Sequence, residues 1–167
     1  MSETQAVPAV PGPLSALGLA IVAGVLVIDQ ASKLAAERLL AFGQQVDLLP
    51  ILSLLRVHNT GVAFSLGNDM GSLALVGGTA LITLLVLYLW HSARDGGALV
   101  AVGFALITGG ALGNLVDRVR FGHVIDFLYL HLGERGLFVF NLADAALTIG
   151  PVLLAFYYLF GGRREPD

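Results

Sequence analysis

Asp126 stands in the apolar run VIDFLYL, and Asp144 follows Asn141 at the entrance to an uncharged run over 145–162. A carboxylate beside a low-dielectric region is costly to keep ionised, so its presence there needs a reason. HVIDFLYLH and GLFVFN read as two strands turning on LGERG. Pairing about that turn sets residue 126 roughly opposite residue 141, with Asp144 one helical turn further on. Two carboxylates at a membrane surface do not both ionise freely. Repulsion and desolvation raise one pKa above the roughly 3.9 of a free Asp. A pair sharing one proton can activate a water with one member and protonate a leaving amine with the other.

Other polar residues also sit where apolar ones are expected. Asp29 and Lys33 stand at i and i+4, on one helix face, where they can pair. That pair can fix helix register at the interface or support a site. Asn59 lies in HNTG, where Asn and Gly serve turn chemistry; its amide could equally bind a substrate backbone. In TGGALGNLVDRVRFGHVIDF, Gly109 and Gly113 have the small-xxx-small spacing that lets helices approach closely. Asn114, Asp117 and Arg118 fall within about one turn of each other, where the third helix leaves the membrane. A solvated helix end explains Asp117 and Arg120. It does not explain Asn114, which needs a partner inside a span.

The elements that must position these groups are legible in composition and run length. The 167 residues are 56% hydrophobic and 13% charged, with mean hydropathy +0.83; soluble domains are about 25% charged. Uncharged stretches cover 14–28, 71–93, 96–116 and 145–162, and a span needs roughly 17–25 apolar residues. We therefore expect an all-α membrane bundle of four transmembrane helices, at about 14–34, 71–93, 96–116 and 143–162. They form one integral domain over 14–162, with a β-rich cap on one face. The connection over 35–70 has strand-like QQVDLLPILSLLRV and GVAFSLG around HNTG. Residues 1–13, MSETQAVPAVPGP, read as a disordered Pro-rich tail, and 163–167 as a tail on the same side of the membrane. The first span lacks the basic start and the cleavage pattern of a removed leader, so it reads as a retained anchor.

Charge and cysteine usage narrow the functions. A net charge of −3 is too mild to suggest a nucleic-acid partner. With no cysteine there is no disulfide, thiolate nucleophile or Cys-based metal site. Arg94, Arg163 and Arg164 lie with the termini, against Lys33, Arg38, Arg56, Arg118, Arg120 and Arg135 on the other side. That count draws the long connections towards the cytoplasm; setting aside Lys33 and Arg118 as site residues leaves four against three.

Three rival chemistries fit less well. A proton-coupled transporter would hold its carboxylates near mid-span, not at one interface. A metalloprotease could draw on His58, His123 and His131, but HExxH is absent and the histidines read as solvated. A Ser-Lys hydrolase could use Ser32 or Ser65 with Lys33, yet Ser32 adjoins Lys33 and points elsewhere on a helix.

DQASK, NTGVAFS, GGALGNLVDRVRFGHVIDF and FNLADAALTIG, in this order from Asp29 to Gly150, together resemble the lipoprotein signal peptidase family, the type II bacterial signal peptidases. The resemblance implies a four-span aspartic endopeptidase of the bacterial plasma membrane, with cytoplasmic termini and the cap and active site at the outer leaflet. It implies removal of signal peptides from prolipoproteins, by cleavage before the diacylglyceryl-modified cysteine. Asp126 and Asp144 match the catalytic pair; Asn59, Asn114, Arg118 and Asn141 match site-lining positions, and Asp29 and Lys33 the supporting ones. Diacylglyceryl-modified prolipoproteins and membrane lipid are the expected partners, for a monomer without metal or cofactor.

Overall fold

A computed structural model describes residues 8–61 and 69–161. Four of its helices are long and apolar enough to cross a membrane: Ala16–Leu39, Leu73–Ser92, Gly97–Phe121 and Leu142–Gly161. The first helix, α1 (Ala16–Leu39), starts at Ser15, whose hydroxyl accepts from Gly18 N at 3.1 Å. It runs five residues past the expected limit at 34. α2 (Asp69–Ser92) and α3 (Gly97–Phe121) follow, and α3 continues beyond 116 to stop at Gly122, in the left-handed conformation at φ 76°. α4 (Leu142–Phe156) ends in a π-helical turn, Tyr157–Gly161.

α3 is the central helix and packs against α1, α2 and α4. Its glycines make this close approach possible. A Cβ added to Gly109 would lie 2.8 Å from Val25 Cβ, and one added to Gly113 would lie 2.5 Å from the Asp29 carboxylate. The small-residue spacing therefore serves the α1–α3 contact. At the other end of the bundle Trp90, Val100, Ala101, Phe104 and Ala105 form the apolar core. Residues 8–11, expected to belong to a disordered tail, are held there. Trp90 Nε1 donates to Pro11 O at 2.8 Å, and Gly97 N donates to Pro8 O at 3.0 Å.

The cap is a four-stranded antiparallel sheet in chain order, β1 (Gln45–Leu49), β2 (Leu52–Asn59), β3 (Val124–Leu132) and β4 (Arg135–Phe140). QQVDLLPILSLLRV is two strands joined by a tight turn at Pro50–Ile51, because Pro has no N–H to give a ladder. Most of GVAFSLG lies outside the described residues. In the β3–β4 hairpin the expected register holds at Leu132↔Arg135 and His131↔Gly136. It then shifts by one, since the next pairs are Leu130↔Phe138 and Leu128↔Phe140. Leu137 is the extra residue of this bulge. Asp126 consequently lies past the last paired residue of β4 and is paired on its other side, with Val57 of β2.

Candidate active site

Asn141 is where β4 hands over to α4. Its side chain accepts from Asp144 N at 3.0 Å, and its own N–H donates to Asp144 Oδ2 at 3.2 Å, a reciprocal capping box. One reason for a carboxylate at this membrane entrance is therefore local: it neutralises the positive end of α4. The cap uses one carboxylate oxygen. The other, Oδ1, accepts from Asn114 Nδ2 at 2.8 Å.

Asn141 also reaches the second carboxylate, its Nδ2 donating to Asp126 Oδ1 at 2.6 Å. Asn59 Nδ2 donates to Asp126 Oδ2 at 2.9 Å, while its Oδ1 takes Gly61 N at 2.9 Å. The turn role and the site role of Asn59 thus coexist on opposite ends of one amide. Asp126 is 1% exposed, whereas Asp144 is half-buried. Burial pushes the Asp126 carboxyl up to about 6, with the Asp144 charge acting in the same direction; the Asn59 and Asn141 donors and the Lys33 charge hold it lower. The pair expected from spacing is thus joined through asparagines, one member desolvated and one open.

Beneath the two carboxylates lies a buried charged layer. Lys33 Nζ reaches Asp29 Oδ2 at 2.8 Å, Asp117 Oδ2 at 2.8 Å and Asn114 Oδ1 at 2.9 Å. Those acceptors use all three ammonium protons. Asp29 Oδ1 accepts from Ala143 N at 2.9 Å, so a residue of α1 satisfies a free N–H at the start of α4. The Asp29–Lys33 pair therefore ties α1 both to α3 and to the start of α4.

Asp117, expected at a solvated helix end, is 1% exposed. It is covered because Lys33 and Gln30 of α1 close over it and the chain, turning at Gly122 into β3, brings Ile125 N within 3.2 Å of its Oδ2. Gln30 Nε2 donates to Asp117 Oδ1 at 2.8 Å and approaches Gly113 O and Asp29 Oδ2, each at 3.2 Å. Sequence reasoning passed over Gln30, although a polar residue inside a span, next to Asp29, is the same kind of signal. Arg118 is half-buried one turn beyond Asn114; among the described residues no hydrogen bond or ion pair ties its side chain to the site. Arg120 is exposed, its guanidinium 4.9 Å from the Phe121 ring centroid.

Of the histidines, His58 is exposed and stacks on His123 at 3.9 Å between centroids. His131, expected to be solvated, is 7% exposed, its Nε2 2.7 Å from Ser53 Oγ and its Nδ1 2.9 Å from Gly133 O. Ser53 of β2 and the Tyr129 ring, stacked on it at 5.1 Å between centroids, lie against the imidazole. Among the described residues no group of three or more His, Asp or Glu side chains is arranged to hold a metal ion.

A family model described as signal peptidase (SPase) II matches residues 21–160. A lipoprotein signal peptidase of Mesorhizobium japonicum is 43% identical over 147 residues, covering 88% of each chain. One from Brucella ovis is 43% identical over 147 residues, covering 88% of this chain and 92% of the relative. A bacterial membrane enzyme solved by the in meso method at 1.9 Å superposes with TM-score 0.77 and 27% identity, over 86% of this chain and 92% of the other. A second, solved at 2.3 Å with TM-score 0.76 and 23% identity, shares the fold over 98% of this chain and 99% of the other. The cap, the motifs and all but the outer ends of the first and fourth spans lie inside the matched region, and this multi-pass membrane chain belongs to the signal peptidase II family of proteases.

Proposed function

We propose that this chain removes signal peptides from prolipoproteins, cutting before the diacylglyceryl-modified cysteine, with Asp126 and Asp144 as the catalytic pair. The observation that carries the reading is the joining of these carboxylates, from separate elements, into one network through Asn141 and Asn114. Asp126, the more buried, holds the shared proton, in keeping with a carboxyl pushed up to about 6. Asp144, half-buried, faces the attacking water as its base. Asp144 takes a proton from that water while Asp126 gives its own to the carbonyl oxygen of the scissile bond. The tetrahedral diol then collapses: the proton on Asp144 passes to the leaving amine, and Asp126 recovers one from the diol. Asn59, exposed beside Asp126, is placed to orient substrate backbone, and Arg118 to line the approach.

Purified protein in detergent should cleave a diacylglyceryl-modified prolipoprotein, and a substrate lacking the lipid poorly, as read by a gel shift. Cleavage should persist undiminished in EDTA and after serine- or cysteine-directed reagents, because paired carboxylates act on water directly. Loss on chelation with recovery on added zinc would replace the aspartate reading with a metal-based one.

The topology that goes with this function puts both termini in the cytoplasm and the sheet outside, at the outer leaflet of the plasma membrane. The chain has no cysteine, so Glu134→Cys, exposed in the β3–β4 turn, introduces a unique thiol. A membrane-impermeant maleimide should label it in intact spheroplasts. Labelling only after permeabilisation would reverse the orientation.

A further inference from the structure

Asp117, on α3, contributes to neither the capping box nor the carboxylate pair, yet it touches both α1 and the strand carrying Asp126. Its Oδ2 accepts both Lys33 Nζ at 2.8 Å and Ile125 N at 3.2 Å; its Oδ1 accepts Gln30 Nε2 at 2.8 Å. We infer that Asp117 is a positioning residue, holding Lys33 and the backbone beside Asp126 and so setting where both catalytic carboxylates present their oxygens. The inference rests on the reading of Asp126 and Asp144 given above.

Two arms carry the effect. In the first, Asp29 and Asp117 fix two of the three Lys33 protons, so the third is aimed at Asn114 Oδ1. That donation, the shorter of two onto Oδ1 (Asn141 Nδ2 gives the other at 3.2 Å), fixes which way the Asn114 amide faces and leaves Nδ2 for Asp144. Without Asp117 the ammonium can swing, the amide can turn, and Asp144 would then meet an oxygen in place of a donor. In the second arm, the Ile125 N–H is anchored one residue before Asp126, past the end of the β4 ladder, where β4 gives β3 no pairing. Gln30 holds the Asp117 carboxylate in this orientation while also bridging to Gly113 O.

Asp117 also adds charge. Asp29, Asp117 and Lys33 together carry one net negative charge beneath the site. Asp144 faces Asp126 from α4, Asp29 and Lys33 lie on α1, and α3 supplies Asp117 and Arg118. β2 offers neutral Asn59 with Arg56 and His58 further along, and β4 ends in uncharged Val139 and Phe140. Neutralising Asp117 leaves Lys33 less compensated and favours the ionised carboxylates. The pH–rate profile of the pair should then move towards acid on both limbs.

The test is Asp117→Asn, purified folded in detergent, with kcat and KM on a lipidated substrate followed across pH. We expect kcat to fall roughly 10- to 100-fold, the scale of a reacting group misplaced by up to about 1 Å, with KM little changed. Both limbs of the profile should move to lower pH by about half a unit or more. A folded variant with wild-type kcat, or with lowered kcat and unmoved limbs, overturns the inference; the latter marks a merely structural tie. If Asp117→Asn does not fold, Gln30→Met decides, since it keeps every charge and removes only the donor on Oδ1. Severalfold lower kcat at unchanged KM, recovered in the donor-retaining Gln30→His, then supports positioning; wild-type kcat in Gln30→Met, or no recovery in a folded Gln30→His, overturns it. Asp126→Asn and Asp144→Asn are assayed alongside. Cleavage surviving in either ends the underlying aspartate reading, and this inference with it. Both being inactive beside a wild-type-like Asp117→Asn means that only the inference has failed.

Discussion

Asp126→Asn and Asp144→Asn should each reduce cleavage to below about 1% of wild type, the scale of a lost general acid or base. An amide neither takes a proton from water nor gives one to the carbonyl oxygen or the leaving amine. The double variant should be no worse than either single one, because groups acting as a unit are not additive. Neither variant should be unfolded, and Asp126→Asn should show this through pH. The Asp126 carboxyl lies at about 6 in the folded protein, against an ordinary value of 3.8. The folded state therefore binds this proton more tightly than the unfolded chain does. That contribution is fully present below about pH 4 and is lost as pH rises through about 6, on the order of 3 kcal/mol in all. Asn does not titrate, so its stability relative to wild type should rise between about pH 4 and 6 and then level off. The loss of one acceptor, where Asn59 and Asn141 both donate, offsets part of the gain. Thermal melting across pH beside the cleavage assay reads both effects. An active Asp144→Asn protein ends the paired-carboxylate mechanism, as does inactivity that follows entirely from misfolding.

Lys33→Met should damage the fold itself. The ammonium is 2% exposed and stands 2.8 Å from each of two carboxylates that are themselves 0% and 1% exposed. Removing it leaves Asp29 and Asp117 facing one another across an apolar side chain in a dry region. Breaking a buried ion pair by deleting one partner costs about 3–5 kcal/mol, and here two partners are stranded. Asp29 would also be drawn away from Ala143 N, loosening the start of α4 and with it Asp144. The melting temperature in detergent should fall by roughly 10 °C, with activity lost in parallel. A Lys33→Met protein that melts within a few degrees of wild type would mean that the charged layer contributes little. The two experiments separate chemistry from support: one yields a folded, inactive protein, the other an unstable one.

Run lengths of apolar residues determined the four spans, because a bilayer imposes a minimum length that shows in any single sequence. The anomalous polar residues were equally legible, since Asp29, Lys33, Asn114, Asn141 and Asp144 interrupt or border those runs. Local turn chemistry also placed the first two pairs of the β3–β4 hairpin. Beyond those pairs the Leu137 bulge took over, and a bulge answers to how the sheet must bend over the helices, which the strand's own pattern does not encode. The burial of Asp117 and His131 was illegible for the same reason: each looks like a surface residue until a distant segment covers it. Asp29 reaches Ala143 across 114 positions, and Lys33 reaches Asn114 across 81. Periodicity and capping signals act within a turn or two of chain. Polar groups that far apart meet only because α3, with glycines where α1 and α4 press closest, lets three helices converge on one buried layer. The tertiary structure alone decided that convergence, since hydrogen-bond partners at such separations are chosen by packing.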